Sequence, residues 1–234
     1  MAMVSVIVPV LNEAPRLETL RRTFRDMQAR GHEVIVVDGA STDGSSEAAR
    51  LVTPKVIAST RGRARQMNRG AASASGEVLL FLHADTTIDA AVLDALGSRF
   101  AARGDRFWGR FDVRLAGRHC FYRVIEFFMN LRSRLTGIAT GDQGIFVSRA
   151  LFERVGGYPE ISLMEDVALS RKLRQSARPL CLRERAVVST RRWARHGILV
   201  TTLLMWRLRL AYFLGADPER LARIYYGPEI RSGR

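Results

Sequence analysis

Lysine is almost absent from this chain of 234 residues: only Lys55 and Lys172 are lysines among 37 basic residues. Acidic residues are also the minority, since 23 Asp and Glu leave a formal net charge of +14. The excess is therefore almost entirely arginine, whose planar guanidinium forms paired hydrogen bonds with phosphates and carboxylates. This charge favours an anionic partner: a nucleotide, an anionic lipid or a nucleic acid.

Cysteine is equally scarce. The two cysteines, Cys120 and Cys181, cannot form a disulfide framework, and no Cys-x-x-Cys pair is present to bind zinc. We therefore expect a protein of the reducing cytoplasm.

Long hydrophobic runs are missing as well. The first apolar residues reach Pro9 and Asn12 too soon to form the hydrophobic core of an export signal. The longest apolar run, 198–206, is followed by Arg207 and Arg209 and falls short of the roughly 20 residues that a spanning helix needs. We expect a soluble protein, or one held peripherally at the inner face of the cell membrane.

Strand and helix patterns alternate in the first half of the chain, which at 47% hydrophobic residues can bury a full core. Apolar runs predict strands at 4–10, 33–38, 55–58 and 77–82, and amphipathic patterns predict helices at 14–30, 43–51 and 64–75. Such alternation predicts parallel strands joined by right-handed crossovers.

The second half is less regular. We expect strands at 107–115, at 144–147 and within 180–189, helices at 121–135 and 163–175, and helix beyond Trp193 with breaks at Gly215 and Pro218. The simplest division is a catalytic α/β body at 1–195 and a helical C-terminal extension at 196–234. That extension packs on the body, on a membrane surface or against a second subunit.

An apolar stripe in the extension bears on that choice. Helical spacing places five residues on one face, next to Arg207 and Arg209: Leu199, Leu203, Trp206, Leu210 and Phe213. A tryptophan beside arginines suits a lipid headgroup layer, so we predict a membrane surface or a subunit interface. The alternative is ordinary packing of this stripe on the body.

The strand predicted at 77–82 ends in two potential metal ligands. His83 and Asp85 follow its apolar residues directly, one residue apart. In open α/β sheets, ligands bind beyond the carboxyl ends of the strands, so both side chains are expected at the mouth of a site. The alternative is that they begin a solvated loop.

Three further strand ends carry polar residues toward the same edge. Asn12 and Glu13 follow the first strand, residues 38–43 follow the second, and the arginine-rich residues 61–68 open the helix after the third. Alone, each has an ordinary explanation as a cap, a turn or a solvated helix start. Because the carboxyl ends of parallel strands converge, acidic groups for a ribose or base would lie beside arginines for phosphate.

Rival functions are weaker on these residues. A nucleotidyltransferase of similar fold needs a glycine-rich loop after the first strand, and residues 10–14 contain no glycine. A Rossmann dehydrogenase needs Gly-x-Gly-x-x-Gly there, which is absent. A basic nucleic-acid-binding module would explain the net charge, but the arginines are spread over the whole chain and no zinc-finger, RRM or bZIP pattern is present.

Together these segments resemble the family 2 inverting glycosyltransferases of the GT-A fold. The resemblance covers about residues 4–175 and rests on five motifs in order: 6–13 (VIVPVLNE), 36–44 (VVDGASTDG), 65–70 (RQMNRG), 81–85 (FLHAD) and 164–169 (MEDVAL). It implies an α/β protein with a mixed sheet flanked by helices, followed by the helical extension. The implied reaction moves a sugar from a UDP- or GDP-linked donor to an acceptor hydroxyl.

The resemblance also assigns roles to single residues. Asp85, together with His83, would hold a divalent metal, Mn²⁺ or Mg²⁺, on the diphosphate. Asp166 matches the family's catalytic base, with Glu165 beside it on the acceptor side, although both could instead complement a helix dipole. The residues implied to contact the nucleotide sugar are Pro9, Glu13, Asp38, Arg65 and His83.

Three departures from the family pattern bear on function. His83 replaces the usual first aspartate of the strand-end motif, which favours Mn²⁺ because it tolerates imidazole better than Mg²⁺ does. Gly39 replaces the acid usual at its position. The Gln-x-x-Arg-Trp motif of processive members is half present, with Arg192 and Trp193 but with Ser189 at the glutamine position, so we expect a single transfer.

A closer resemblance is to a bacterial branch labelled arsenosugar-biosynthesis glycosyltransferases. It rests on residues 62–68 (GRARQMN), 108–113 (WGRFDV) and 141–143 (GDQ). Asp142 and Gln143 precede an apolar strand, where they would face the acceptor or form a turn. We expect a small-molecule or lipid-linked acceptor and no nucleic-acid partner.

Overall fold

Eight strands form a mixed sheet in the part of the protein that the computed structural model describes, residues 1–227 without the side chains of Arg192 and His196. The strands are β1 (Val4–Val10), β2 (Glu33–Asp38), β3 (Val56–Ala58), β4 (Val78–Phe81), β5 (Thr86–Thr87), β6 (Trp108–Leu115), β7 (Ile145–Ser148) and β8 (Leu180–Val188). Their order across the sheet is β3-β2-β1-β4-β7-β6-β8-β5.

The first four strands are parallel, as the alternating pattern predicted. β1 pairs with β2 and with β4, and β2 pairs with β3. β7 then runs antiparallel between β4 and β6, while β8 lies parallel to β6. The predicted mixed sheet is confirmed, and the carboxyl ends of β1, β2 and β4 meet at one edge.

Helices cover both faces of this sheet. Those described are α1 (Ala14–Ala29), α2 (Ser45–Arg50), α3 (Arg63–Ser73), α4 (Ala91–Arg103), α5 (Cys120–Thr136), α6 (Arg149–Arg154), α7 (Glu165–Ser176), α8 (Arg191–His196), α9 (Ile198–Phe213) and α10 (Pro218–Tyr226). The alternation of β1 shows how two cores form: Val6 and Val8 face the core with Leu17 of α1, whereas Ile7 faces the core with Met67 of α3.

The C-terminal helices pack on the body next to the start of α7. Leu208 of α9 and Leu221 of α10 are buried against Leu163 and Met164. Arg171 of α7 adds cation–π contacts, with its guanidinium 5.3 Å from the Tyr212 ring centroid and 5.8 Å from that of Phe213. The extension is therefore anchored on the segment that leads into α7, although its residues 228–234 lie outside the described range.

The apolar stripe of α9 is largely exposed to solvent. Its five residues are between 58% and 73% exposed, whereas Leu204, Leu208 and Ala211 pack inward. The alternative that this stripe is ordinary core is therefore wrong, because a different face of the helix supplies the packing. Among the described helices, none is long and apolar enough to cross a membrane.

Candidate active site

A cleft of about 790 Å³ opens at the carboxyl ends of β1 and β4. Its wall brings together most of the strand-end residues picked out from the sequence, namely Pro9, Asn12, Glu13, His83 and Asp85. The start of α3 adds Arg61 and Arg63, and α10 adds Glu219, Ala222, Arg223 and Tyr226. Another depression, of about 640 Å³ beside α1, collects none of the predicted site residues. The C-terminal extension thus forms part of the cleft wall, which the sequence did not predict.

Hydrogen bonds join the loops that follow β1 and β2. The backbone of Asn12 lies in the left-handed region at φ 55°. Its backbone N–H donates to Ser41 Oγ at 2.9 Å, and its side-chain Oδ1 accepts from the Thr42 backbone N–H at 2.9 Å. The Glu13 amide donates to Ser45 Oγ at 2.8 Å. These bonds hold the Glu13 side chain at the cleft, where Arg191 Nη2 approaches its carboxylate at 3.3 Å.

Asp38 lies beneath the cleft and organises the loop after β2. The carboxylate is buried and accepts from the amide and the hydroxyl of Ser41, at 3.2 and 2.5 Å. It does not line the cleft in this structure. Its predicted contact with the nucleoside remains a prediction.

Gln66 is a site residue that the sequence reasoning missed. Its buried side-chain amide donates to the carbonyls of Val10 and Val37, both at 2.8 Å, and so ties β1 to β2 directly below the cleft. A Cβ on Gly39 would come within 2.9 Å of the Gln66 side chain. This close approach gives a physical reason for glycine where the family usually has an acid. A polar residue on the otherwise apolar face of α3 is the signal that could have revealed it.

The arginines at the start of α3 point in different directions. Arg65 pairs with Glu160 at 3.0 Å on the exposed surface and does not line the cleft. Arg63 does line it, and the Tyr226 phenol and the Glu165 carboxylate raise the pKa of its guanidinium. Within the described part of the chain, Arg61, Arg63 and Arg223 form no ion pair. The cleft therefore holds three free cations, and Arg65 is not one of them.

The strand-end pair His83 and Asp85 fits a metal that the substrate helps to bind. Asp85 lines the cleft and accepts a hydrogen bond from the Thr86 hydroxyl at 3.3 Å. The His83 ring packs with its Cε1 and Nε2 atoms on Gly141, and its Nδ1 lies 3.7 Å from Asp142 Oδ1. Among the described residues, no group of three His, Cys, Asp or Glu side chains is placed so that it could hold a metal ion by itself. Two protein ligands completed by diphosphate oxygens and water suit Mg²⁺ or Mn²⁺.

Asp166 is held rigidly across two segments. Its Oδ2 accepts from the Gly141 amide and its Oδ1 from the Val167 amide, both at 2.7 Å. The N-cap position of α7 belongs to Met164, at φ 69°, so Asp166 is not the cap residue. The contact with Gly141 instead places Asp166 beside the segment that carries Asp142.

Glu165 and Asp142 have opposite electrostatics. Burial, and then the negative charge of Asp166, raises the pKa of Glu165. Burial also opposes ionisation of Asp142, but the nearby His83, Arg209 and Arg63 outweigh it and lower the pKa of Asp142. Asp142 is thus an ionised carboxylate next to His83, whereas Glu165 resists ionisation.

The raised pKa of Glu165 predicts a pH-dependent stability. Because the folded state binds this proton more tightly than the unfolded chain does, the free energy of unfolding falls as the pH rises above the ordinary value of 4.5. Glu165→Gln removes that penalty, so its melting temperature should exceed that of the wild type at pH 8 and match it at pH 4. Scanning calorimetry at both pH values measures this, and a gap that narrows toward pH 8 would contradict the assignment.

Two further residues picked out from the sequence, Gln143 and Trp193, do not line the cleft. Gln143 is fully buried, donates from Nε2 to Ser133 Oγ at 2.9 Å and accepts from the Thr140 amide at 3.2 Å, which gives it a structural role. Trp193 packs edge-on against Tyr122 with ring centroids 6.5 Å apart. The Arg192 side chain lies outside the described part of the chain.

Comparisons with known proteins agree with this geometry. The family model of glycosyl transferase family 2 matches residues 5–155. No curated protein matches the chain significantly. Among solved structures, the mannosyltransferase PcManGT from Pyrobaculum calidifontis, in complex with GDP-Man and Mn²⁺, is similar at 24% identity and a TM-score of 0.65, over 96% of this chain and 68% of that one.

Two further solved structures are similar. S. aureus TarS 1-349 in complex with UDP shares 22% identity at a TM-score of 0.58, over 80% of this chain and 57% of that one. Glucosyl-3-phosphoglycerate synthase from Mycobacterium tuberculosis, with Mg²⁺ and UDP, shares 18% identity at a TM-score of 0.56, over 80% and 70%. At this identity the likeness concerns the fold.

The family match spans well over half of the chain and includes β1 to β4, α3 and β7, the elements that build the floor of the cleft. The chain belongs to glycosyl transferase family 2, and it is an enzyme of that family.

Proposed function

We propose that the protein transfers one sugar from a nucleoside diphosphate donor to an acceptor hydroxyl, with inversion at the anomeric carbon. The observation that carries this proposal is a cleft in which Arg61, Arg63 and Arg223 lie beside the His83 and Asp85 pair. Next to the cleft, Asp142 Oδ1 lies 3.7 Å from His83 Nδ1, and Asp166 accepts from the Gly141 amide one residue before Asp142. Cations for a diphosphate beside a fixed base are what such a transfer requires.

The transfer itself involves one bond made and one bond broken. The acceptor oxygen attacks the anomeric carbon while the bond from that carbon to the diphosphate oxygen breaks, and the nucleoside diphosphate leaves with the electron pair. Asp166 takes the proton of the acceptor hydroxyl. Its two amide hydrogen bonds hold the carboxylate in one orientation for this task.

The donor occupies the side of the cleft formed by β1 and α3. Pro9 and Glu13 border the nucleoside, and Arg61, Arg63 and Arg223 lie where they can neutralise phosphate oxygens. Asp85 and His83 would hold Mn²⁺ or Mg²⁺. When bound, the metal supplies Lewis-acid stabilisation of the departing diphosphate.

A matched pair of arginines tests the donor side. Arg63→Gln should raise the dissociation constant for the nucleoside diphosphate roughly 10- to 100-fold, because it removes a charge-assisted contact. Arg65→Gln removes the same charge two residues along the chain, where the arginine forms an exposed ion pair with Glu160. This variant should change the dissociation constant by less than about twofold. Calorimetric titration with UDP and GDP in the presence of Mn²⁺ measures both. A larger effect in the Arg65 variant would instead support Arg65, the arginine predicted from the sequence, as the contact to the diphosphate.

The outer faces of α5 and α9 supply a membrane-binding surface in this proposal. α5 exposes apolar residues at helical spacing, Phe121, Val124, Phe128, Leu131 and Leu135, and α9 exposes its stripe. A net charge of +14 complements anionic lipid. The protein would then act peripherally at the inner face of the cell membrane, with a lipid-linked acceptor; a soluble acceptor and a second subunit on the same faces are the alternatives.

Vesicle flotation tests this surface. The double variant Trp206→Glu and Leu210→Glu should lower the fraction bound to phosphatidylglycerol vesicles by at least roughly 10-fold, because two apolar anchors are lost. Leu51→Glu is the matched control, since Leu51 is equally exposed at 65% but lies on α2's end. In the alternative outcome, the wild type, the double variant and the Leu51 variant float equally, and light scattering shows a dimer that only the double variant loses. That result would assign the face to a subunit interface.

The arsenosugar branch remains a proposal about the substrate. The three segments that carry this resemblance form the start of α3, the first part of β6 and the turn that holds Asp142. Arg63 and Asp142, one from each of two segments, interact electrostatically across the site. We therefore expect these segments to contact any substrate that is specific to this branch.

A further inference from the structure

Arg132, near the end of α5, is a half-buried cation that does not line the donor cleft. Its Nη1 donates to the Ile138 carbonyl at 3.1 Å. Its Nε and Nη2 are buried and, among the residues that the structure describes, have no hydrogen-bond acceptor. Burying guanidinium donors without acceptors costs free energy, so such a group calls for an anionic ligand.

Arg209 of α9 is a second cation, and its charge acts on Arg132. It lies on the side of α9 that faces the body, one residue from the buried Leu208, and is half-buried itself. Burial, and then the positive charge of Arg209, lowers the pKa of Arg132 to about 10. Neither guanidinium has an ion pair within 4.0 Å in the described part of the chain. Two like charges therefore act on each other, and neither is neutralised by a direct ion pair among the described residues.

Both arginines interact electrostatically with carboxylates that are candidates for the base. The charge of Asp166 acts on Arg132, and that of Arg209 acts on Asp142. The chain links them, because Ile138, which Arg132 contacts, is followed by Gly141, which donates to Asp166. Neither arginine lines the part of the cleft that holds Arg61, Arg63 and Arg223.

We propose that Arg132 and Arg209 form an oxyanion subsite for the acceptor, so that the acceptor carries a phosphate or carboxylate group beside the hydroxyl that is glycosylated. This inference rests on the proposed function, since Asp166 marks where the acceptor lies. Guanidinium donors on two helices would fix the anion and thereby place the hydroxyl against the base. If the arginines only neutralised Asp142 and Asp166, direct ion pairs would be expected, and none is formed within the described residues.

Two-step calorimetry tests the subsite. UDP and GDP are first titrated with Mn²⁺ into the full-length protein, which tests donor binding alone. Methyl phosphate is then titrated into protein saturated with the better nucleotide, so that the donor-side arginines are already occupied. The variants are Arg132→Gln, Arg209→Gln and Arg132→Lys, with Arg183→Gln as the control that removes one exposed arginine of β8.

The subsite predicts that Arg132→Gln and Arg209→Gln each weaken methyl phosphate binding roughly 10- to 100-fold. Nucleotide binding should stay unchanged in both, and Arg183→Gln should match the wild type in both steps. Arg132→Lys, which keeps the charge but not the fork, should fall between. Methyl phosphate binding that is absent, or equal in all variants, while the nucleotide binds would overturn the subsite alone. Failure of both nucleotides to bind would overturn the proposed function and the subsite with it.

Vesicles distinguish the two sources of the anion. Phosphatidic acid presents a phosphate monoester on a lipid, and phosphatidylglycerol presents equal apolar surface with a diester. Stronger sedimentation with phosphatidic acid that Arg132→Gln abolishes assigns the subsite to a lipid phosphate. Equal sedimentation with both lipids, together with the Arg132-dependent binding of methyl phosphate, assigns it to a soluble acceptor.

Discussion

Replacing Asp166 with Asn is expected to lower turnover by about 10²–10⁴-fold, because the amide keeps the shape of the side chain but cannot accept the acceptor's proton. One oxygen remains to accept from the Gly141 amide, so the loop should stay in place. The dissociation constant for the nucleoside diphosphate should barely change. Steady-state turnover and calorimetry on the same preparation measure the two quantities.

Asp142→Asn is the informative comparison for that result. Asp142 is an ionised carboxylate next to His83, and it is the next candidate for the base. Turnover that survives in the Asp166 variant and collapses in the Asp142 variant would move the base to Asp142. Asp166 would then be a residue that positions the 138–141 segment.

Replacing Asp85 with Ala is expected to remove most of the activity and the response to added Mn²⁺. Asp85 is the carboxylate of the predicted metal pair, and the His83 imidazole alone is a weak site for a hard cation. Asp105→Ala, which removes an exposed acid outside the cleft, should behave as the wild type. Rates over a Mn²⁺ titration after treatment with EDTA provide the measurement, and full activity in EDTA would contradict the metal assignment.

Local patterns predicted the body of the protein closely. β1 and β2 have the bounds expected from their apolar runs, and α1, predicted as amphipathic, buries Leu17, Leu20, Phe24 and Met27 on one face. Because parallel strands end at one edge, the convergence of Pro9, Glu13, His83 and Asp85 also followed from the sequence. Helix α4 was not among the predicted elements, although Leu93 and Leu96 give it a buried face.

Long-range contacts were beyond the sequence. Arg63 and Arg65 differ by two positions on a helix, so which of them faces the cleft depends on where α3 begins, and Gly62 at φ 140° sets that point. The place of α10 over the cleft depends on Leu208 and Leu221 finding the Leu163 and Met164 surface. Arg132 donates to the Ile138 carbonyl and is influenced by the charge of Arg209 on α9, and both residues lie outside its own helix. No periodicity encodes such contacts.

The central claim, that a sugar is transferred from a nucleoside diphosphate, is tested most directly by a donor panel. UDP- and GDP-linked sugars are incubated with the protein and Mn²⁺, with and without phosphorylated and carboxylated acceptors, and released nucleoside diphosphate is measured. The account predicts release from at least one donor, faster with an anionic acceptor, lost in the Asp85 variant, and with the opposite anomeric configuration in the product by NMR. Release from no donor under any of these conditions, or a product that retains the configuration, would contradict it.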